Sequence, residues 1–379
     1  MAKNTKEMKG PTKSPEEMQK YTMLLFKGVS EATTVQSVLQ LIKGSDILLA
    51  EKEGSTVAIG FFSYFEMYQQ WALLGREAVV DGQIVKIEVV ESRLSEEDRN
   101  RAHLAHLAGG TRNIMLANFE DFMAGDFIRE EAEKYGAVES IKHIRDRKVA
   151  YVEFFSFMPA MEFVANIRED TLFQNVKVCF SRDKCGLGDS EESAAYNNRT
   201  VYFGNIPADI TPREILSVVQ GGRVYMIKTI KEKKCAFVGF FSYISAAAFI
   251  EYSQVFSVCI RGMQAKLGPG KIQPMPSLAA VLAYKGVTRC IMVRVDRAQQ
   301  ESKIEQEIAR HGDVDRIDKK EGDAWVVSYL SVQDAYSAYQ SMSNVPVLNR
   351  MLYGYAEDPC AEVSALDLMM EVQKKEFMV

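Results

Sequence analysis

Short apolar runs of strand length recur along this chain at domain-sized intervals. One phrase marks the repeat: Gly60-Phe61-Phe62-Ser63, Glu153-Phe154-Phe155-Ser156, Gly239-Phe240-Phe241-Ser242 and Ser328-Tyr329-Leu330-Ser331. Their first aromatics lie 93, 86 and 89 residues apart, the spacing of whole domains rather than of solenoid repeats. About 35 to 40 residues before each phrase stands another apolar run, at 24–29, 114–119, 201–206 and 291–296. A helical pattern follows each phrase, as in the ten residues from Ser242 to Glu251.

Between the two runs of each repeat the sequence predicts a helix and a second strand. In the third repeat Thr211-Pro212-Arg213-Glu214 reads as a capping box with proline at the first helical position. Gly221-Gly222, and Gly136 and Gly312 in the second and fourth repeats, are expected to stop these helices. Fourth strands are expected at 83–90, 176–181, 258–267 and 351–357. The order is therefore β-α-β-β-α-β four times over, an α+β chain of ferredoxin-like units in tandem, each a four-stranded sheet with two helices on one face. The other face is left free.

The boundaries that follow are 21–93, 111–185, 198–273 and 288–360 for the four units. Residues 1–20 read as a disordered N-terminus and 186–197 as a flexible polar linker. Two helical linkers, 94–110 and 274–287, end alike: Gly109-Gly110-Thr111-Arg112-Asn113-Ile114-Met115 matches Gly286-Val287-Thr288-Arg289-Cys290-Ile291-Met292. That second level of repetition implies a pair of domains joined by a helix and then duplicated. The tail, 361–379, carries Leu366, Met369, Met370, Val372 and Phe377 at helical spacing and is expected to pack on the fourth unit, with partner binding as the alternative.

Composition adds little until it is divided. The net charge of −5 belongs to the whole chain, yet residues 199–271 hold ten Lys/Arg against four Asp/Glu, while 289–379 is acidic. A phosphate-binding surface is therefore sought in the third unit. Six scattered cysteines and four histidines make no zinc spacing, so no metal or cofactor is expected, and His103 and His106 read as a packed or solvated face. There is no glycine-rich phosphate loop and no nucleophile–base pair, which argues against an enzyme. No run of about 18 apolar residues is present, so a membrane partner is not expected.

The first and third strands carry the chemistry. Val201-Tyr202-Phe203-Gly204-Asn205-Ile206 and Lys233-Lys234-Cys235-Ala236-Phe237-Val238-Gly239-Phe240 resemble the two short motifs of the RNA recognition motif (RRM) family. Strand alternation puts Tyr202 and Phe237 side by side on the open face, where bases stack. Lys228, Lys233, Lys234, Lys266 and Lys271 are the expected phosphate contacts, with Asn205 at the end of the first strand. In the second unit Met115 takes the first ring position and Tyr151 the second, accompanied by Asn118, Lys142, Arg147, Arg182 and Lys184. The first unit offers Leu25, Thr56 and Ala58, and the fourth Met292 with either Trp325 or Val326 facing outward, so both read as degenerate.

More narrowly, the four-domain order, the Thr-Arg-Asn linker ends, Arg199-Thr-Val-Tyr-Phe-Gly-Asn-Ile206 and Ser181-Arg-Asp-Lys-Cys-Gly186 resemble the fungal negative-regulator-of-differentiation family of four-RRM proteins. That resemblance implies single-stranded RNA, in particular mRNA, as partner and regulation after transcription in the cytoplasm. The alternatives are a protein-interaction scaffold, binding through the outer units or the tail, and a nuclear splicing regulator of the polypyrimidine-tract type.

Overall fold

The computed structural model describes residues 18–119, 123, 125–186, 198–271, 275–295, 301–320, 323–344 and 351–376. The expected disordered N-terminus (1–20) and flexible linker (186–197) fall almost wholly outside them.

The first unit comprises β1 (Met23–Lys27), α1 (Val35–Leu39), β2 (Leu49–Glu53), β3 (Thr56–Gly60), α2 (Tyr64–Leu74), β4 (Glu77–Val80) and β5 (Gln83–Val90). After the linker helix α3 (Glu96–Leu107) come β6 (Asn113–Ala117), α4 (Gly125–Glu133), β7 (Val138–Ile144), β8 (Val149–Phe154), α5 (Phe157–Ile167) and β9 (Lys177–Ser181). The third unit is β10 (Thr200–Gly204), α6 (Pro212–Leu216), β11 (Val224–Ile230), β12 (Cys235–Phe240), α7 (Tyr243–Val255), a hairpin β13 (Cys259–Ile260) and β14 (Met263–Gln264), and β15 (Lys266–Pro269). Linker helix α8 (Ser277–Tyr284) leads to β16 (Cys290–Arg294), α9 (Glu301–Ala309), β17 (Val314–Lys319), β18 (Ala324–Tyr329), α10 (Val332–Ser343), β19 (Leu352–Ala356) and a last helix, α11 (Ala365–Glu376).

Each unit has its first strand between its third and its last, all antiparallel, in orders β2-β3-β1-β5-β4, β7-β8-β6-β9, β11-β12-β10-β15 and β17-β18-β16-β19. The second aromatic-phrase helix starts where expected: Ser63, Ser242 and Ser331 cap α2, α7 and α10 with their hydroxyls. Alternate strand residues such as Phe203, Val238 and Phe240 turn under the helices and are fully buried.

Several expectations need correcting. The capping box on Thr211 and Glu214 is present, but α6 stops at Leu216, before Gly221. Those glycines serve packing instead: a Cβ on Gly222 would lie 2.2 Å from Ser245 Oγ, and one on Gly221 2.9 Å from Leu368. The fourth strand of the third unit begins at Lys266 rather than 258, because Arg261 (φ 49) and Gly262 (φ 76) form the tight turn of an extra hairpin. In the fourth unit Val326 faces outward opposite Met292, while Trp325 pairs with Val293 and is buried in the core.

The tail is the largest correction. Helix α11 packs on α7 of the third unit, not on the fourth: Leu368 is fully buried in the third unit's core, and Lys375 Nζ donates to Val255 O at 3.1 Å. The path explains it. Leaving β19, the chain runs through Asp358 and Cys360 against the third unit, where Gly222 N–H donates to Cys360 O and Gly221 N–H to Val363 O.

The units join in pairs by the same device used twice. Arg112, at the start of β6, donates from Nε to Asp183 Oδ2 (2.6 Å) and from Nη2 to Asp183 Oδ1 (2.9 Å), and also pairs with Glu139. Asp183 accepts from Ile47 N–H of the first unit, and Cys185 Sγ reaches Leu39 O there. In the other half Arg289 binds Asp358 and Asp315, Asp358 accepts from Val224 N–H of the third unit, and Cys360 Sγ reaches Leu216 O. Next to these, Arg223 pairs with Glu357 at 2.9 Å, whereas the corresponding positions Asp46 and Arg182 carry the opposite charges.

The two halves meet at the linker helices. Both end in the same glycine stop, with Gly110 N–H donating to Ala105 O and Val287 N–H to Leu282 O around Gly109 (φ 90) and Gly286 (φ 72). Ala102, Ala105, Ala108, Ala279, Ala280 and Ala283 are buried in one cluster with Leu48, Phe62, Phe157, Tyr225, Phe241 and Val332, which come from all four units. His106 lies in this hub, stacked on Phe62 at 4.0 Å with the planes 9° apart, and burial lowers it to a pKa of about 4. It is a packed, neutral imidazole.

Candidate nucleic-acid interface

Strand register sets four residues in a row across the middle of each open face. In the third unit the row is Lys228, Phe237, Tyr202, Gly268. In the second it is Lys142, Tyr151, Met115, Cys179. In the first it is Glu51, Ala58, Leu25, Glu88, and in the fourth Asp318, Val326, Met292, Gly354. The inner units therefore present a cation beside a ring, and the outer units a carboxylate beside an aliphatic.

The third unit is the fullest case. Tyr202 and Phe237 stand with ring centroids 5.6 Å apart and planes tilted by 56°, both partly exposed. A Cβ on Gly268 would meet nothing within 4 Å, so the space beyond Tyr202 is open. Partly exposed rings in the centre of a sheet offer the flat apolar surface on which bases stack. Lys228 is exposed at the end of the row, and Lys266 and Lys271 are exposed along the last strand and just past it.

A basic turn joins the second and third strands of each inner unit. Lys231–Lys233 and Arg145–Arg147 are single 3-10 turns, each closed by a lysine in the left-handed conformation, Lys234 (φ 48) and Lys148 (φ 49). Arg147, Lys233 and Lys234 are exposed there, as expected. Sequence reasoning passed over Lys231, although the parallel phrases Arg145-Asp-Arg-Lys148 and Lys231-Glu-Lys-Lys234 signal it.

Other candidates have structural duties. Asn118 (φ 64) and Asn205 (φ 57) take the left-handed conformation that ends the first strand, a geometry asparagine tolerates well, and Asn205 Nδ2 donates to Gln264 O at 2.9 Å. Lys184 is exposed but paired with the buried Glu153. Arg182 is exposed just beyond β9.

The outer faces differ in charge. In the first unit Lys27 pairs with Glu88 and Arg93 with Glu51, both at 2.5 Å, so both carboxylates of the row are already matched by cations of the protein. In the fourth, Asp318 of the row pairs with Arg316 at 3.0 Å.

Four sheets of this strand order, each backed by two helices, give the chain a tandem RRM fold, its units RRM1 to RRM4 in chain order. No family model matches the chain. It is 23% identical over 319 residues to the RNA-binding protein MRN1 of Saccharomyces cerevisiae, an alignment that takes in 67% of this chain and 52% of the relative. Over 278 residues it is 23% identical to the meiotically up-regulated gene 24 protein of Schizosaccharomyces pombe, covering 66% of this chain and 42% of that one. The chain spans about half the length of the curated relatives it matches. Among solved structures, the N-terminal three RNA-binding domains of the yeast splicing factor Prp24 align over their whole length with 67% of this chain, at 15% identity and a TM-score of 0.23. With overlap that low, the fold assignment rests on the strand order itself.

Proposed function

We propose that this protein binds single-stranded RNA through the open faces of RRM3 and RRM2, and that it acts on mRNA after transcription, in the cytoplasm. The row Lys228, Phe237, Tyr202 carries the reading, because it puts two stacking surfaces and a phosphate-binding charge side by side on an uncovered sheet. RRM2 repeats the row with methionine for one ring, a softer surface that still packs on a base. One relative, the RNA-binding protein MRN1, is named for the same class of ligand, which supports the reading. The likeness to the negative-regulator-of-differentiation family belongs to this proposal.

The test is the double variant Tyr202→Ala, Phe237→Ala, assayed by fluorescence anisotropy on short RNA oligomers. Stacking is worth about 1 to 3 kcal/mol per ring, so affinity should fall at least about 30-fold with the fold intact by circular dichroism. Parental affinity in a folded double variant refutes the surface.

A scaffold role for RRM1 has one observation in its favour. On its second helix Phe65 and Leu73 are 66% and 75% exposed. Protein partners that survive nuclease treatment and are lost with Phe65→Ser and Leu73→Ser would establish it.

A further inference from the structure

We infer that the RNA sites of RRM2 and RRM3 are coupled through the non-covalent hub formed by the two linker helices, and not through the peptide that joins the two domains. The inference rests on the RNA-binding reading above. It begins at Arg199, the residue just before β10. Its guanidinium donates from Nε and Nη2 to Leu107 O, at 2.8 and 2.6 Å, at the C-terminal end of α3. A cation there answers the negative end of the helix dipole.

This contact ties together the first strands of the two inner units, which carry Tyr202 and Met115. Arg199 lies three residues before Tyr202, and Arg112, which leaves the same end of α3, lies three residues before Met115. Both strands therefore start from one point, and the distance between the two RNA-facing rows is set by packed structure.

The hub has the character of a core. Ala105 and Ala280 are fully buried where α3 and α8 meet, and Phe157 from the first half is as fully buried as its neighbours from the second. Arg168 of RRM2 reaches Ser277 at the start of α8, whose hydroxyl donates to Val178 O at 2.7 Å. Contacts between domains of one chain are usually more polar and looser than this. Two binding surfaces held in fixed register gain from each other what a tether would give only through effective concentration.

Cutting the tether separates the two accounts. A specific protease site is inserted after Glu191 in the full chain, and the purified protein is cleaved. Size-exclusion chromatography then reads the particle, and anisotropy on a labelled random-sequence RNA pool of about 20 nucleotides reads binding. Cleaved protein is expected to elute as one particle and to bind within about twofold of the uncut chain, whereas coupling by a tether alone predicts a loss of about 100-fold or more. Separation of the halves overturns the hub. Co-elution with a 100-fold loss overturns the coupling. Failure of the uncut chain to bind RNA overturns the RNA-binding reading and the coupling with it, while elution still decides the hub. Ala280→Glu, which puts a charge into the buried helix contact, is expected to make the cleaved halves separate; co-elution of that cleaved variant would also overturn the hub.

Discussion

Arg289 and Asp358, 69 residues apart in sequence, form an ion pair whose side chains are 1% and 0% exposed. Removing one partner of such a pair strands a buried charge, at a cost of about 3 to 5 kcal/mol. Asp358→Ala should lower stability by that amount. It should also speed amide exchange at Val224, whose N–H donates to Asp358 Oδ2. Unchanged protection at Val224 would show that the seam does not depend on this carboxylate.

Salt dependence should separate the cations from the rings. Each phosphate neutralised on a single strand contributes about 0.7 to the slope of log affinity against log salt, so Lys228→Gln, Lys233→Gln and Lys234→Gln together should flatten it by about 2. The ring variants should weaken binding at every salt concentration and leave the slope nearly unchanged. Measuring both sets across a salt series checks the division of labour.

Leu368 is fully buried in the core of RRM3 although it lies on the chain's last described helix. Leu368→Ala should cost about 2 to 5 kcal/mol, the range for a buried leucine that leaves a cavity. Hydrogen exchange should show the loss in α7, under α11, and not in the helices of RRM4. The opposite distribution would restore the packing expected from sequence.

Thiol reactivity gives a further check. Burial pushes the Cys185 thiol up to about 12 and that of Cys290 to about 11, and raises Cys360 as well, so little thiolate exists at neutral pH. Cys259 is exposed. A maleimide at neutral pH should modify Cys259 first and leave Cys185, Cys290 and Cys360 intact until denaturant is added. Labelling of Cys360 at the rate of Cys259 would mean that the RRM3–RRM4 seam opens in the native protein.

What could be read from the sequence was local. The recurring Phe-Phe-Ser phrase fixes the third strand and the start of the following helix because both are written in adjacent residues. The duplicated Thr-Arg endings of the linkers point to a pair of pairs, and the structure uses each arginine alike. Its partner was harder to see, since Asp183 and Asp358 follow Arg112 and Arg289 by 71 and 69 residues. The shared spacing in Asp183-Lys-Cys185 and Asp358-Pro-Cys360 was the available signal. The register of Trp325 could not be read because Trp325 and Val326 are both plausible on either face of a strand, and only the pairing of Met292 with Val326 decides it. The direction of the tail was equally hidden: an amphipathic helix announces a buried face but not the surface that buries it.

The docking of α11 also bears on the order in which the chain matures. Leu368 and Cys360 belong to the core of RRM3, yet about 100 residues separate the last strand of that domain, ending at Pro269, from Leu368. On a ribosome, where domains tend to fold as they emerge, RRM3 would appear early and wait with its helical face incomplete until RRM4 and α11 have been synthesised. The domain with the strongest case for RNA contact thus reaches its finished form only after its neighbour RRM4 has been made.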